Sequence, residues 1–201
     1  MKQLLLDIQP PASQSLDNFI VGQNAEAVYS IKQALTGAKE ASFIYLWGAN
    51  GSGKSHLLQA CKAANVQAAD DVHLLDNDAQ IALFNIYNQI KENGGTLITA
   101  GMHAPTQMRL RNDLATRLAW GLVYQLQPLT DDEKVQALKK HAQERGMNLP
   151  NDVVSYCLRY LRRDLPTLMA VLDALDVWSL TEKKPVTIPM LKKLLQLDLD
   201  M

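Results

Sequence analysis

The sequence has few of the residues that would tie it to a membrane, a metal or an oxidising compartment. It contains two cysteines, Cys61 and Cys157, which are far apart and have no CxxC spacing. Both lie among apolar residues, so we expect buried, reduced thiols of a cytoplasmic protein. No stretch reaches the ~18 apolar residues of a membrane span, and the four histidines have no metal-ligand spacing. These features predict neither a membrane helix nor a zinc site.

An excess of charge is also missing. The chain has 20 basic and 21 acidic residues and a formal net charge of −1. A protein that grips a DNA backbone by itself usually has a basic excess, so strong direct DNA binding is not expected. A basic face that includes Arg159, Arg162 and Lys184 keeps a DNA-binding alternative open. The first eight residues are too short and too acidic for a signal peptide.

The hydrophobic content of 47% is enough for a substantial core. In the first half, β-rich runs alternate with helical patterns, which predicts a parallel α/β sheet. We expect strands at 41–47, 96–100 and 122–126, a strand with a loop after it within 66–75, and helices at 23–37, 54–64, 77–93 and 106–118. After Pro128 only helical patterns follow, at 131–145, 151–162, 164–180 and 187–197. The predicted organisation is an extended tail (1–15), an α/β domain (16–128) and a small all-helical domain (129–201). The tryptophans are expected in the cores.

One motif carries phosphate chemistry. The pattern GxxxxGK[ST] lies between a predicted strand and a predicted helix, which is the context that a phosphate-binding loop requires. Its glycines let backbone N–H groups face phosphate oxygens, its lysine provides a positive charge, and its serine hydroxyl suits Mg²⁺. The motif comprises Gly48, Ala49, Asn50, Gly51, Ser52, Gly53, Lys54 and Ser55.

Three further sites fit phosphoryl-transfer chemistry. Asp70 and Asp71 follow a predicted strand, where a carboxylate would hold Mg²⁺ together with Ser55 and orient water. Thr99, at a later predicted strand end, fits a polar sensor of the γ-phosphate. Each has a simpler interpretation, a solvated turn for the aspartates and a harmless strand end for Thr99. Arg117 could reach a nucleotide held by a neighbouring subunit, with a surface salt bridge as its alternative.

Several segments resemble the AAA+ domain of the bacterial replication initiator family, the DnaA family. The stretch 16–24 (LDNFIVGQN) resembles the opening segment, which packs beside adenine in that family; 117–122 (RLAWGL) resembles the arginine-finger box, and 125–129 (QLQPL) the entry to the helical lid. The resemblance implies an AAA+ P-loop domain with a lid, which binds ADP or ATP with Mg²⁺. It adds Ile20, Val21 and His56 to the nucleotide site, and it gives Arg117 a role in trans.

The N-terminal run resembles the short motif by which bacterial proteins dock on the replicative sliding clamp, the β subunit of DNA polymerase III. A glutamine amide seeks polar partners and the leucines fill an apolar groove; the alternative is a strand that packs on the protein's own core. The run comprises Gln3, Leu4, Leu5, Leu6, Asp7 and Ile8. Together the resemblances imply a clamp-bound negative regulator that stimulates hydrolysis of DnaA-bound ATP, with an autonomous ATPase such as a helicase loader as the alternative. Assembly of the chain into a homo-oligomer is a further possibility that the sequence leaves open.

The chain departs from the family's pattern in two places. Few residues separate Ser55 from Asp70, where related proteins have a further strand and helix; that strand lies at a sheet edge, so its loss need not open the core. In the lid, Pro166 falls where the family has an arginine that reaches the phosphates. Arg162 or Arg163 would replace it only along a shifted path. These departures imply weak intrinsic hydrolysis.

Overall fold

The computed structural model describes residues 14–39, 42–64, 66–162 and 164–199. The clamp motif, Gln3 to Ile8, and the lid residue Arg163 lie outside the described residues, so the predictions made for them stay predictions. The described residues form two compact units, 14–129 and 130–199.

The first unit is an α/β layer structure. Helices and strands alternate as the hydrophobic patterns predicted, with two short 3₁₀ turns at Val72–Leu74 and Pro105–Gln107. The elements are α1 (Ala25–Leu35), β1 (Phe43–Trp47), α2 (Lys54–Ala63), β2 (Gln67–Ala69), α3 (Asn77–Asn93), β3 (Leu97–Gly101), α4 (Asn112–Trp120) and β4 (Leu122–Gln125).

The four strands form one parallel sheet in the order β2-β3-β1-β4. Within the described residues no strand lies between α2 and β2, and β2 is an edge strand of the sheet. The parallel sheet flanked by helices confirms the predicted fold class. Because parallel strands run the same way, their carboxyl ends meet at one edge of the sheet, where ligands bind in such folds.

The side chains of the strands alternate between the two faces of the sheet and so contribute to two separate apolar clusters. Ile44, Leu46 and Ile98 face α1 and α2, whereas Tyr45 and Leu97 face α3 and α4. Successive side chains of a strand point to opposite faces, so each helix pair covers one face. Burial on both faces is why the strands read as continuous apolar runs.

Two expectations for this unit are wrong. The helix expected over 106–118 spans Asn112–Trp120, because Pro105 begins a separate 3₁₀ turn. Trp120, expected in the core, is 61% exposed.

The second unit contains four helices, with no strand among its described residues. Thr130 begins the first with a capping box, in which its hydroxyl accepts from Glu133 N at 3.2 Å and the Glu133 carboxylate accepts from Thr130 N at 2.7 Å. Pro166 occupies the first turn of the third helix, where proline is tolerated. The helices are α5 (Asp131–Glu144), α6 (Asn151–Tyr160), α7 (Leu165–Glu182) and α8 (Ile188–Leu199).

The core of this unit is formed by aliphatic residues from all four helices, together with Cys157. An ion-pair network lies beside it: His141 Nε2 is 2.6 Å from Asp173 Oδ1, and Arg145 contacts both Asp173 and Asp176. Over the described residues of the chain, no helix is both long enough and apolar enough to cross a membrane.

Candidate functional site

The glycine-rich loop joins β1 to α2 at the carboxyl edge of the sheet. Gly48, Gly51 and Gly53 have φ values of +148°, +79° and +96°, a region that side chains with a Cβ rarely adopt. A Cβ on Gly53 would lie 2.7 Å from Phe19 Cε2, and one on Gly48 would meet the carbonyl of Leu126. Gly48 and Gly53 are therefore required both for backbone conformation and for space, and Gly51 for conformation alone.

Lys54 is held over this loop. Its Nζ donates to Gly48 O at 2.7 Å and to Ala49 O at 3.0 Å, and the residue is only 7% exposed. Burial lowers the pKa of Lys54, while the negative charges of Asp70 and Asp71 act in the opposite direction. The structure thus brings the loop lysine within electrostatic range of both predicted aspartates.

The start of α2 has the features of an anion site. Gly53 occupies the N-cap position and provides no side-chain acceptor for the first N–H groups of the helix. The buried hydroxyl of Ser52 has no hydrogen-bond partner among the described residues. Unpaired donors at a helix N-terminus favour a phosphate group, so this loop fits the phosphates of a nucleotide. Ala49, Asn50, Gly51 and Ser55 are exposed.

The segment before α1 lies against the first turn of α2. The rings of Phe19 and His56 meet edge to face with centroids 5.3 Å apart, and His56 Nε2 donates to Ser15 O at 2.9 Å. Ile20 and Val21 are partly buried, with Val21 packed against the core. This segment and His56 therefore border the glycine-rich loop, where the sequence placed them.

Asn24 holds that segment in place and was missed by the sequence interpretation. The side chain is buried; its Nδ2 donates to Gln127 O at 2.9 Å and its Oδ1 accepts from Gln127 N at 2.7 Å. It occupies the N-cap position of α1 but makes no side-chain capping bond. Because its partner is 103 residues away, no local sequence pattern indicates this hydrogen-bonded pair.

Asp70 directly follows β2, as predicted, and Asp71 begins the 3₁₀ turn in a left-handed conformation with φ +47°. The strand is not adjacent to β1, because β3 lies between them. Asp70 Oδ1 accepts from Asp71 N at 2.9 Å. No group of three or more His, Cys, Asp or Glu among the described residues could hold a metal ion alone, so a role in binding Mg²⁺ would need oxygens from the nucleotide.

Thr99 does not end its strand, because β3 continues to Gly101. The residue is 1% exposed, and its hydroxyl is 3.5 Å from Ile44 O. It lies opposite Tyr45 on β1, on the face covered by α3 and α4. The placement expected from the sequence is wrong, and the role of Thr99 as a phosphate sensor stays a prediction.

Arg117 is held by aromatic rings rather than by a carboxylate. Its Cζ lies 4.6 Å from the ring centroid of Trp120 and 5.9 Å from those of Phe84 and Tyr87. Within the described part of the chain no carboxylate lies at ion-pair distance from Arg117. The salt bridge that was its alternative interpretation is therefore not found among these residues.

Arg117 also lies far from the glycine-rich loop. It lines a small cavity together with Phe43 and Leu97, the first residues of β1 and β3, and thus lies near the amino ends of the strands. The loop begins at the carboxyl end of β1, and a strand of five residues spans about 13 Å. The guanidinium and the loop therefore lie at opposite ends of the strands of one sheet.

Comparison with known proteins agrees with this architecture. Residues 131–195 match the family model described as the lid domain of Hda, and residues 12–74 match the model of the bacterial DnaA ATPase domain. Among solved structures, domain III of Thermotoga maritima DnaA has a TM-score of 0.73 at 19% identity over 92% of this chain and 96% of that one. Aquifex aeolicus DnaA with bound AMPPCP has a TM-score of 0.66 at 22% identity, over 85% and 69%.

The Thermotoga maritima RuvB motor has a TM-score of 0.67 at 15% identity, over 94% of this chain and 72% of that chain. The parallel sheet, the glycine-rich loop and the helical second unit define the chain as an AAA+ P-loop protein. The two family-model matches specify the branch further: it is a DnaA/Hda-like AAA+ protein.

Proposed function

We propose that this chain is a DnaA-related negative regulator of replication initiation, of the Hda type. It docks on the sliding clamp through Gln3 to Ile8 and stimulates hydrolysis of the ATP bound to DnaA. The initiator that holds ADP then cannot start another round. The observation that carries the proposal is the position of Arg117, a guanidinium with no acidic partner among the described residues, at the opposite ends of the strands from the chain's own phosphate loop.

The chain's own loop binds ADP or ATP. Backbone N–H groups of 48–55, the N-terminus of α2 and Lys54 hold the phosphates, while Ile20, Val21 and His56 border the nucleoside. Ser55 and Asp70 complete the surroundings of a Mg²⁺ ion that the nucleotide carries. Solved DnaA structures with AMPPCP support a nucleotide here. The bound nucleotide acts as a conformational ligand that shifts a population rather than as a fuel.

In the stimulated reaction water attacks the γ-phosphorus of the initiator's ATP, and the bond from that phosphorus to the β–γ bridging oxygen breaks. Arg117 gives up no proton; its charge stabilises the negative charge that develops on the transferred group and on the leaving ADP. An arginine supplied in trans accelerates such reactions by roughly 10³–10⁵-fold. Its five N–H donors match phosphate oxygens in a planar fork that lysine lacks.

The test is the rate at which DnaA-bound ATP is hydrolysed, with and without this chain, in the presence of clamp loaded on DNA. Arg117→Ala and a deletion of residues 1–8 should each remove the stimulation. Arg159→Ala is the matched control, because Arg159 also lies over an aromatic ring, at 5.4 Å from that of Tyr160, but belongs to the helical unit.

Four results would contradict the proposal in different ways. Stimulation that survives Arg117→Ala would remove the arginine-finger role, and stimulation that survives the deletion would remove clamp docking. Absence of stimulation by the unaltered chain, combined with rapid ATP hydrolysis by the chain alone, would favour the autonomous ATPase instead. Loss of stimulation in Arg159→Ala, with steep salt dependence of DNA affinity, would point to the DNA-binding alternative.

A further inference from the structure

Trp120 is the most unusual side chain near Arg117. It is the last residue of α4, and 61% of its surface is exposed although it is the largest apolar side chain. Packing of the unit therefore does not explain why a tryptophan is present. Large exposed aromatic surface is informative in a way that a single exposed leucine is not.

The exposed ring contacts two cations. Arg117 Cζ lies 4.6 Å from its centroid and Lys91 Nζ, from the end of α3, lies 5.2 Å away. Arg117 and Trp120 are three residues apart on α4, a spacing that places side chains on the same helix face. At 4.6 Å this ring is closer to the guanidinium than Phe84 or Tyr87.

This contact leaves the arginine's hydrogen-bonding capacity unused. Arg117 donates no hydrogen bond to any residue in the described ranges, in contrast to Arg111, which donates to Asp113 at 3.0 and 3.2 Å. A carboxylate would fix a guanidinium by occupying its N–H groups and neutralising its charge. An aromatic face restrains the plane while charge and donors stay available for phosphate oxygens.

We infer that Trp120 is a positioning residue for Arg117: its ring holds the guanidinium in the orientation from which it enters the partner's ATP site. The inference rests on the proposed function. A free arginine samples many rotamers, and ordering it during the reaction would cost conformational entropy. A ring that restricts those rotamers beforehand raises the rate at saturation and not the affinity for the initiator.

The test compares Trp120→Leu, Trp120→Phe and Arg117→Ala in the stimulated hydrolysis assay, at several concentrations of this chain. Trp120→Leu should lower the maximum rate by roughly fivefold, the order that a cation–π contact contributes, with the half-maximal concentration unchanged. Trp120→Phe, which keeps a smaller aromatic face, should restore much of that loss. Tyr160→Leu is the matched control, since Tyr160 is 60% exposed and also lies under an arginine.

A second measurement needs no initiator. In the full chain, the Nε–Hε NMR signal of Arg117 should be shifted by the ring current of Trp120, and Trp120→Leu should remove that contribution while the smaller ones of Phe84 and Tyr87 remain. Absence of that shift, or an unchanged maximum rate in Trp120→Leu beside a strong effect of Arg117→Ala, would overturn the positioning role alone. A rise in the half-maximal concentration only would overturn it in favour of contact with the partner. No effect of Arg117→Ala would overturn the proposed function as well.

Discussion

Asn24→Ala should destabilise the nucleotide-binding unit measurably. The substitution removes two hydrogen bonds, of 2.7 and 2.9 Å, that join the start of α1 to the backbone of Gln127 after β4. Each is worth about 1 kcal/mol net, and leaving the partner groups partly unsatisfied adds to this. We expect a total loss of about 2–3 kcal/mol in the free energy of unfolding.

The loss should be visible in two assays. A change of this size lowers the melting temperature by about 8–12 °C in a unit of this length, and urea unfolding followed by circular dichroism gives the free energy directly. Because Asn24 also anchors the segment that contains Ile20 and Val21, affinity for a fluorescent ADP analogue should fall. Asn93→Ala is the control: Asn93 is exposed at the end of α3, so its effect should stay within about 0.5 kcal/mol.

A loss below about 0.5 kcal/mol in Asn24→Ala would refute the reasoning. It would mean that water hydrogen-bonds to the backbone groups of Gln127, an exposed residue, with no loss in the free energy of unfolding. Loss of stability with unchanged ADP affinity would keep the structural role and reject the link from this hydrogen-bond pair to the nucleotide.

Three further predictions follow from single contacts. Thr130→Ala removes the capping hydroxyl of α5 and should cost about 1 kcal/mol in urea unfolding, whereas Thr130→Ser should be nearly neutral. Burial raises the pKa of Cys61 and of Cys157 to about 11, so in the native protein at pH 8 alkylation should be very slow. The stability linked to these thiols should be complete below pH 9 and lost as the pH rises towards 11. Gly53→Ala should abolish ADP binding in a calorimetric titration, because its Cβ would meet Phe19; retained affinity would show that the loop accommodates the methyl group.

Local patterns predicted the elements well. The helix expected over 77–93 is α3 with the same bounds, and the acidic run after Thr130 begins a capped helix. The glycine-rich loop lies between the expected strand and helix. In each case the signal depends on residues within one or two turns of each other, which is the range over which propensity, capping and periodicity act.

What the sequence could not predict depends on contacts between distant segments. The bond pair of Asn24 with Gln127 spans most of the first unit, and no spacing rule reports it. Trp120 was expected in a core because it is large and apolar, but α4 presents its Leu114 and Leu118 to the sheet and leaves the ring outside. The surroundings of Arg117 also depend on distant segments, because they are formed by α3 and α4 together.

The arrangement of the sheet explains how one small domain serves two nucleotides under the proposed function. Its phosphate loop lies where the strands end and Arg117 lies where they begin, so in the folded unit the arginine lies away from the chain's own phosphate loop. Mutations can therefore separate the two sites: Lys54→Ala should remove nucleotide binding by this chain and leave the Arg117–Trp120 contact intact. Any loss of stimulation in Lys54→Ala then measures how far the bound nucleotide controls the chain's encounter with the initiator, and it does not measure the chemistry of the arginine.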